Sequence, residues 1–195
     1  MSENYYYTNE TIKIKSYKAI VVGSGISGGW AAKELCEKGI QTLVIERGRK
    51  VEHNKDYPTA NLAPWELKHR GLITEAFKKQ NPLITKSAGF GEDNAHFFIE
   101  DATQPYIQEK PFDWIRGYQV GGKSIIWGRA CQRWSDHEFA APQKMNYGLD
   151  WPIRYKDVEA WYTHVEKFIG VCGNADGIEA MPDGYFMKPF DLTIV

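Results

Sequence analysis

The run Gly23-Ser-Gly-Ile-Ser-Gly28 sits between an apolar segment, Tyr17 to Val22, and a helix-favouring one, Gly29 to Lys38, that stops at Gly39. A second apolar run, Ile40 to Ile45, follows and closes on Glu46. Strand, glycine turn, helix and strand within about thirty residues leave few folds open, because two neighbouring strands joined through a helix run parallel. The unbroken apolar character of the first segment predicts a parallel strand buried on both faces.

Each position in the turn has a physical role. Gly23 permits the sharp exit from the strand, Gly25 lets the backbone approach a ligand closely, and Gly28 lets the helix pack against the strand. Ile26 and Ser27 open the helix, whose free N–H groups and partial positive charge suit a pyrophosphate. Glu46 stands where a carboxylate would accept ribose hydroxyls and would repel a 2′-phosphate. The pattern therefore predicts an adenine-dinucleotide site; the competing reading is a glycine-rich strand–helix turn that binds nothing.

Roughly ninety residues on, Arg116 to Gly128 contains Val120-Gly-Gly-Lys-Ser-Ile-Ile-Trp-Gly128. Gly121 and Gly122 allow positive φ and close backbone approach, Ser124 offers a hydrogen bond, and Trp127 a wide apolar wall. By itself this is equally a glycine turn leading into a core tryptophan. Beside the first motif, contact with a planar cofactor is the better reading.

Glu46-Arg47-Gly48, the second glycine run, and Asp150 to Tyr162 followed by Ile169-Gly-Val-Cys-Gly173 together resemble the glucose-methanol-choline family of FAD-dependent oxidoreductases. The branch with pyranose oxidases and the flavoprotein subunits of sugar and gluconate dehydrogenases is the most similar. The resemblance implies an α/β chain with a Rossmann-like FAD-binding βαβ core, excursion loops, and the start of a substrate-binding part, incomplete relative to the family. Residues 1–16 read as a flexible lead-in, 17–149 as the N-terminal portion of the FAD-binding domain, and 150–195 as the start of the substrate-binding region. It assigns Gly23, Gly25, Ile26, Ser27, Gly28, Glu46, Arg47, Val120, Gly121, Gly122, Ser124, Trp127 and Gly128 to the cofactor. Pyranose-oxidase-like members carry a flavin-linking histidine where this chain has Ile126, so FAD is expected to bind non-covalently.

The family's catalytic pair lies near the far C-terminus, so the resemblance places it beyond Val195, and residues 1–195 alone are expected to oxidise no alcohol. It implies a sugar, polyol or sugar-acid substrate, hydride transfer to flavin N5, and an electron-accepting subunit as a further partner. Two alternatives stand beside it: a catalytically empty FAD/ADP-binding module or truncated gene product, and an NAD-linked dehydrogenase. The Glu46-Arg-Gly48 run and the second glycine loop weigh against the latter.

Composition narrows the rest. A net charge of −1 gives no reason to expect nucleic acid or an acidic membrane. No apolar stretch approaches the ~20 residues of a membrane helix, and Met1 to Ser16 lacks an apolar targeting core. Lack of a signal points to the cytoplasm, while a partner subunit could carry the chain to the periplasm. Cys36, Cys131 and Cys172 are far apart, with Cys36 expected as a small buried hydrophobe, and the histidines show no metal-ligand spacing. His137 reads as a surface histidine. Leu62 to Gln80 predicts a helix interrupted at Gly71, His96 to Ile99 a short strand, and Val158 to Ile169 a helix with an aromatic packing face, stopped by Gly170.

Overall fold

The computed structural model describes residues 16–87 and 89–191. The expected lead-in thus lies, but for Ser16, outside the described residues. The chain divides into two compact units, Met1–Gly128 and Arg129–Val195.

The first unit opens as the glycine pattern predicts. Strand β1 (Ala19–Val22) leads into helix α1 (Ile26–Glu37) and then strand β2 (Thr42–Ile45). The strands pair in parallel from Ala19↔Thr42 to Val22↔Ile45. Gly39, at φ +72°, closes α1 in a left-handed conformation. The expectation of a strand buried on both faces is corrected: Ile20 and Val22 remain 61% and 81% exposed. The physical reason is that, among the described residues, the sheet has two strands and nothing covers that side. Cys36 is likewise exposed, not buried.

The core of this unit lies outside the βαβ segment. Ile84, Phe90, Phe97 and Phe98 form a buried cluster, with Val51, Tyr57, Phe77, Ile115, Ile125 and Ile126 among the side chains packed on it. Residues 96–99 are not a strand: Ala95–Phe97 is a 3-10 turn. Alternation along a strand would send Phe97 and Phe98 to opposite faces, whereas both enter one cluster. The helix expected over 62–80 is reduced to a turn at Lys68–Gly71 and α2 (Glu75–Gln80). His69, Arg70 and Gly71 all take positive φ, which breaks the helical path.

A carboxylate holds the start of α2. Thr74 caps the helix, and its N–H and hydroxyl donate to Glu92 at 2.8 and 2.7 Å, with the Lys68 ammonium 3.3 Å away. Those Thr74 bonds, backbone first, and Lys68 lower the Glu92 pKa to about 2. A depressed carboxylate stabilises the fold above its ordinary pKa, and this contribution fades as pH falls through the folded value. Between about pH 4.5 and about 2, the urea midpoint of the native chain should therefore fall more steeply than that of Glu92→Gln. Parallel curves for the two proteins would refute the linkage.

In the second unit, α3 (Asp136–Lys144) begins at Ser135, whose hydroxyl accepts the His137 N–H at 3.2 Å while Glu138 accepts the Ser135 N–H at 2.7 Å. His137 is exposed on its first turn. Helix α4 (Tyr155–Ile169) ends at Gly170, φ +73°. Its aromatic stripe is not one packing face: Trp161 and Phe168 are 63% and 61% exposed. The buried residue of α4 is Glu166, gripped by Arg133 at 2.8 and 2.6 Å. Arg133 also donates to Tyr155 and Thr163, each at 2.8 Å, and Asp136 accepts the Tyr155 N–H at 2.8 Å. These bonds fasten residues 133–136 to α4 within the second unit.

Candidate functional site

A cleft of about 310 Å³ opens at the N-terminus of α1. Val22, Gly23, Gly25, Ile26, Ser27 and Gly28 line it from the first glycine motif, and Lys123 and Ser124 from the second. Two segments far apart in sequence thus meet at one site within the first unit. Gly23 takes φ +90° and donates its N–H to Ile45 at 2.7 Å, tying the turn to β2. A Cβ at Gly28 would stand 2.0 Å from the Gly23 carbonyl oxygen, so only glycine lets α1 approach the strand this closely. Helix α1 starts at Gly25 with no side-chain cap and no acidic residue in its first turn. Its first N–H groups are therefore left for a ligand, and the dipole favours an anion.

The second motif is held by contacts of its own. Gly121 and Gly122 have φ of +90° and +52°, and a Cβ on Gly122 would lie 3.5 Å from Gly25 Cα. The two glycine turns thus stand so close that a side chain on Gly122 would touch the first. Ile125 and Ile126 pack on the aromatic core. Upstream, Val120 donates to the Arg49 carbonyl at 2.9 Å, and a Cβ on Gly48 would fall 2.4 Å from Gln119 Cα. Gly48 is therefore required for the close approach of this segment to the end of β2. Arg116 is buried, its guanidinium 5.0 and 5.1 Å from the rings of Tyr106 and Trp114 and bonded to the Gln104 carbonyl.

Glu46 is bonded back onto the first motif. Its carboxylate accepts the Ser24 N–H at 2.7 Å, the Ser24 hydroxyl at 2.5 Å and the Gly48 N–H at 2.7 Å. Burial raises its pKa, but the Ser24 hydroxyl and the N–H groups of Gly48, Ser24 and Arg47 outweigh burial and hold it below the usual range. The Ser24 oxygen in turn accepts the Gly121 N–H at 2.9 Å.

Of the residues read from the sequence, Gly23, Gly25, Ile26, Ser27, Gly28 and Ser124 line the cleft. Gly121 and Gly122 are not among the lining residues, though the Gly121 N–H is bonded to Ser24 of the first motif. Arg47 stands 3.7 Å from the Tyr118 ring centre and donates to Gln104 at 2.9 Å. Val120, Trp127 and Gly128 are not among the lining residues.

Val22 and Lys123 are the lining residues that the sequence reading passed over, and Lys123 is the charged one. It makes no ion pair among the described residues. A signal for it existed: Gly117-x-x-x-x-Gly122-Lys123-Ser124 has the spacing of a phosphate-cradling loop. The element after it is a 3-10 turn, Gly122–Ile125, and not the long helix that pattern requires. The helix N-terminus comes instead from α1. Among the described residues no group of three or more His, Cys, Asp or Glu could hold a metal, and no helix is long and apolar enough to cross a membrane.

No family model matches the chain. It is 22% identical over 194 residues to the fructose dehydrogenase large subunit of Gluconobacter japonicus, covering 95% of this chain and 32% of that protein. It is 26% identical over 175 residues to the gluconate 2-dehydrogenase flavoprotein of Pantoea cypripedii, covering 84% and 26%. Among solved structures, an FAD-dependent oxidoreductase from Chaetomium thermophilum matches at 20% identity and a TM-score of 0.39, covering 87% of this chain and 26% of that one. The chain thus spans about a third or less of the length of these relatives. The sequence relatives bear out the resemblance to the glucose-methanol-choline oxidoreductases carried by the two glycine motifs.

Proposed function

We propose, from this kinship with sugar and sugar-acid oxidoreductases, that the chain is the FAD-binding portion of an oxidoreductase acting on the CH–OH groups of sugars, polyols or sugar acids. The observation that carries the reading is the cleft where both glycine motifs meet at a bare helix N-terminus. Its donors fit a pyrophosphate: helix N–H groups on one wall, the Lys123 ammonium on the other, and Gly25 without a side chain between them. Lys123 would balance one phosphate charge, while the helix dipole would take up part of the other. Glu46, at the end of β2, would face the ribose and disfavour a 2′-phosphate there. Bound FAD would supply the hydride acceptor, at N5, for the substrate's carbinol carbon.

The Rossmann-like assignment of 17–149 rests on the βαβ unit, and that of the region from 150 onward to substrate binding rests on the family resemblance. The name "large subunit" borne by one relative favours a partner subunit for this chain as well, and the family resemblance gives that partner the role of electron acceptor. Ile126 packs its alkyl side chain on the aromatic core and has no atom able to bond a flavin covalently, which favours non-covalent FAD.

The test is direct. The purified chain is mixed with FAD, desalted, and its visible spectrum recorded; a retained flavin band is expected. Acid precipitation should then release the colour into the supernatant. A colourless desalted protein would overturn FAD binding by this chain, and yellow remaining in the acid pellet would overturn the non-covalent assignment.

A further inference from the structure

The Glu46 carboxylate is crowded. It accepts from the backbone N–H groups of Ser24 and Gly48 and from the Ser24 hydroxyl. Two of these three donors are peptide groups fixed by the chain; the Ser24 hydroxyl is the one that a side-chain substitution removes.

The same hydroxyl oxygen makes a second contact. The Ser24 oxygen accepts the Gly121 N–H at 2.9 Å through a lone pair, whichever way its own hydrogen points. The Gly121 carbonyl is held at the same time by the Ser124 hydroxyl at 2.5 Å and the Ser124 N–H at 3.1 Å. The peptide groups on either side of Gly121 are therefore pinned by two serines, one from each glycine motif. The Ser24 side chain thus bonds both to Glu46 and to the second turn.

We propose that Ser24 is a positioning residue for the flavin half of the site: its hydroxyl joins the ribose-facing carboxylate of Glu46 to the Gly121 turn, and so sets where the second glycine loop stands when a dinucleotide binds. This rests on the FAD reading above and adds to it a residue that connects the two ends of the cofactor. The adenosine end, met by Glu46 and the α1 N-terminus, keeps its backbone donors without Ser24. The flavin end depends on the second loop, and therefore on this side chain.

The experiment compares FAD and ADP, which lacks the flavin half, on the full chain and on Ser24→Ala. One lost hydrogen bond of this kind corresponds to about a tenfold change in affinity. FAD binding should weaken about tenfold in Ser24→Ala, while ADP binding stays within about twofold or tightens as Glu46 gains an acceptor position. Ser24→Thr, which keeps the hydroxyl, should recover most of the FAD affinity. Equal weakening of both ligands, or no change in either, would overturn the proposal and leave the FAD reading standing. Failure of the native chain to bind either ligand would instead sink the dinucleotide reading, and the proposal with it.

Discussion

Gly28→Ala is expected to destabilise the first unit by about 2 kcal/mol, lower the unfolding midpoint by roughly 8 °C, and abolish FAD binding. The added methyl would sit 2.0 Å from the Gly23 carbonyl oxygen, far inside contact distance. That oxygen cannot simply retreat, because the Gly23 N–H is bonded to Ile45 at 2.7 Å and its φ of +90° is fixed by the turn. Overpacking of this kind costs up to about 3 kcal/mol, against about 1 kcal/mol returned by replacing a helical glycine with alanine. The clash wins. Its relief must tilt α1 away from the strand, moving the N–H groups that line the cleft. Gly29 is the matched control: its Cβ would meet the Ser24 carbonyl oxygen at 3.8 Å, ordinary contact. Gly29→Ala should thus stabilise by about 0.5–1 kcal/mol. Thermal melts and FAD titrations of both variants check the pair, and shifts of the same sign would refute the packing argument.

The contrast between those neighbours shows what the sequence could and could not carry. Gly23, Gly28 and Gly39 act through the backbone, and backbone demands are local, so the βαβ unit was legible from spacing alone. The Glu46–Ser24 bond spans twenty-two residues and the Ser24–Gly121 bond ninety-seven, and both depend on where side chains end up after folding. The same holds for Lys123, whose meaning comes from α1 standing opposite. Burial was the least legible property. Tyr17 to Val22 reads as an inner strand because its composition is apolar, yet exposure depends on how many strands lie beside it. Phe97 and Phe98 failed as a strand for the converse reason: an irregular turn can bury two successive residues together. In α4 the hydrophobic period located the helix correctly, while the group that fastens it is a charged one the period does not count.

That charged group predicts the second large effect. Arg133→Met should destabilise the second unit by about 3–5 kcal/mol, because it strands the Glu166 carboxylate in a buried site. The two side chains are only 5% and 10% exposed. A Cβ on Gly184 would lie 2.7 Å from Glu166 Oε1, so the surrounding chain leaves little room for a compensating water. Burial raises the Glu166 pKa, and the Arg133 bonds and the Tyr185 N–H at 2.7 Å outweigh it, keeping the carboxyl below its usual range. With the guanidinium gone, one backbone donor cannot hold the charge, and the group must be buried ionised or take up a proton. Glu166→Leu in the same chain removes the stranded charge, so the double variant should recover a large part of the loss and lie within about 2 kcal/mol of the native chain. The pH response separates the two cases. The native pair is stabilising above the ordinary carboxylate range and loses that contribution on acidification, whereas the double variant has no such group to titrate. Urea unfolding of the four proteins of the cycle, followed through hydrogen exchange of α4 amides, measures the coupling. A loss below about 1 kcal/mol for Arg133→Met would mean that the pair behaves as a solvated surface bridge and does not fasten α4.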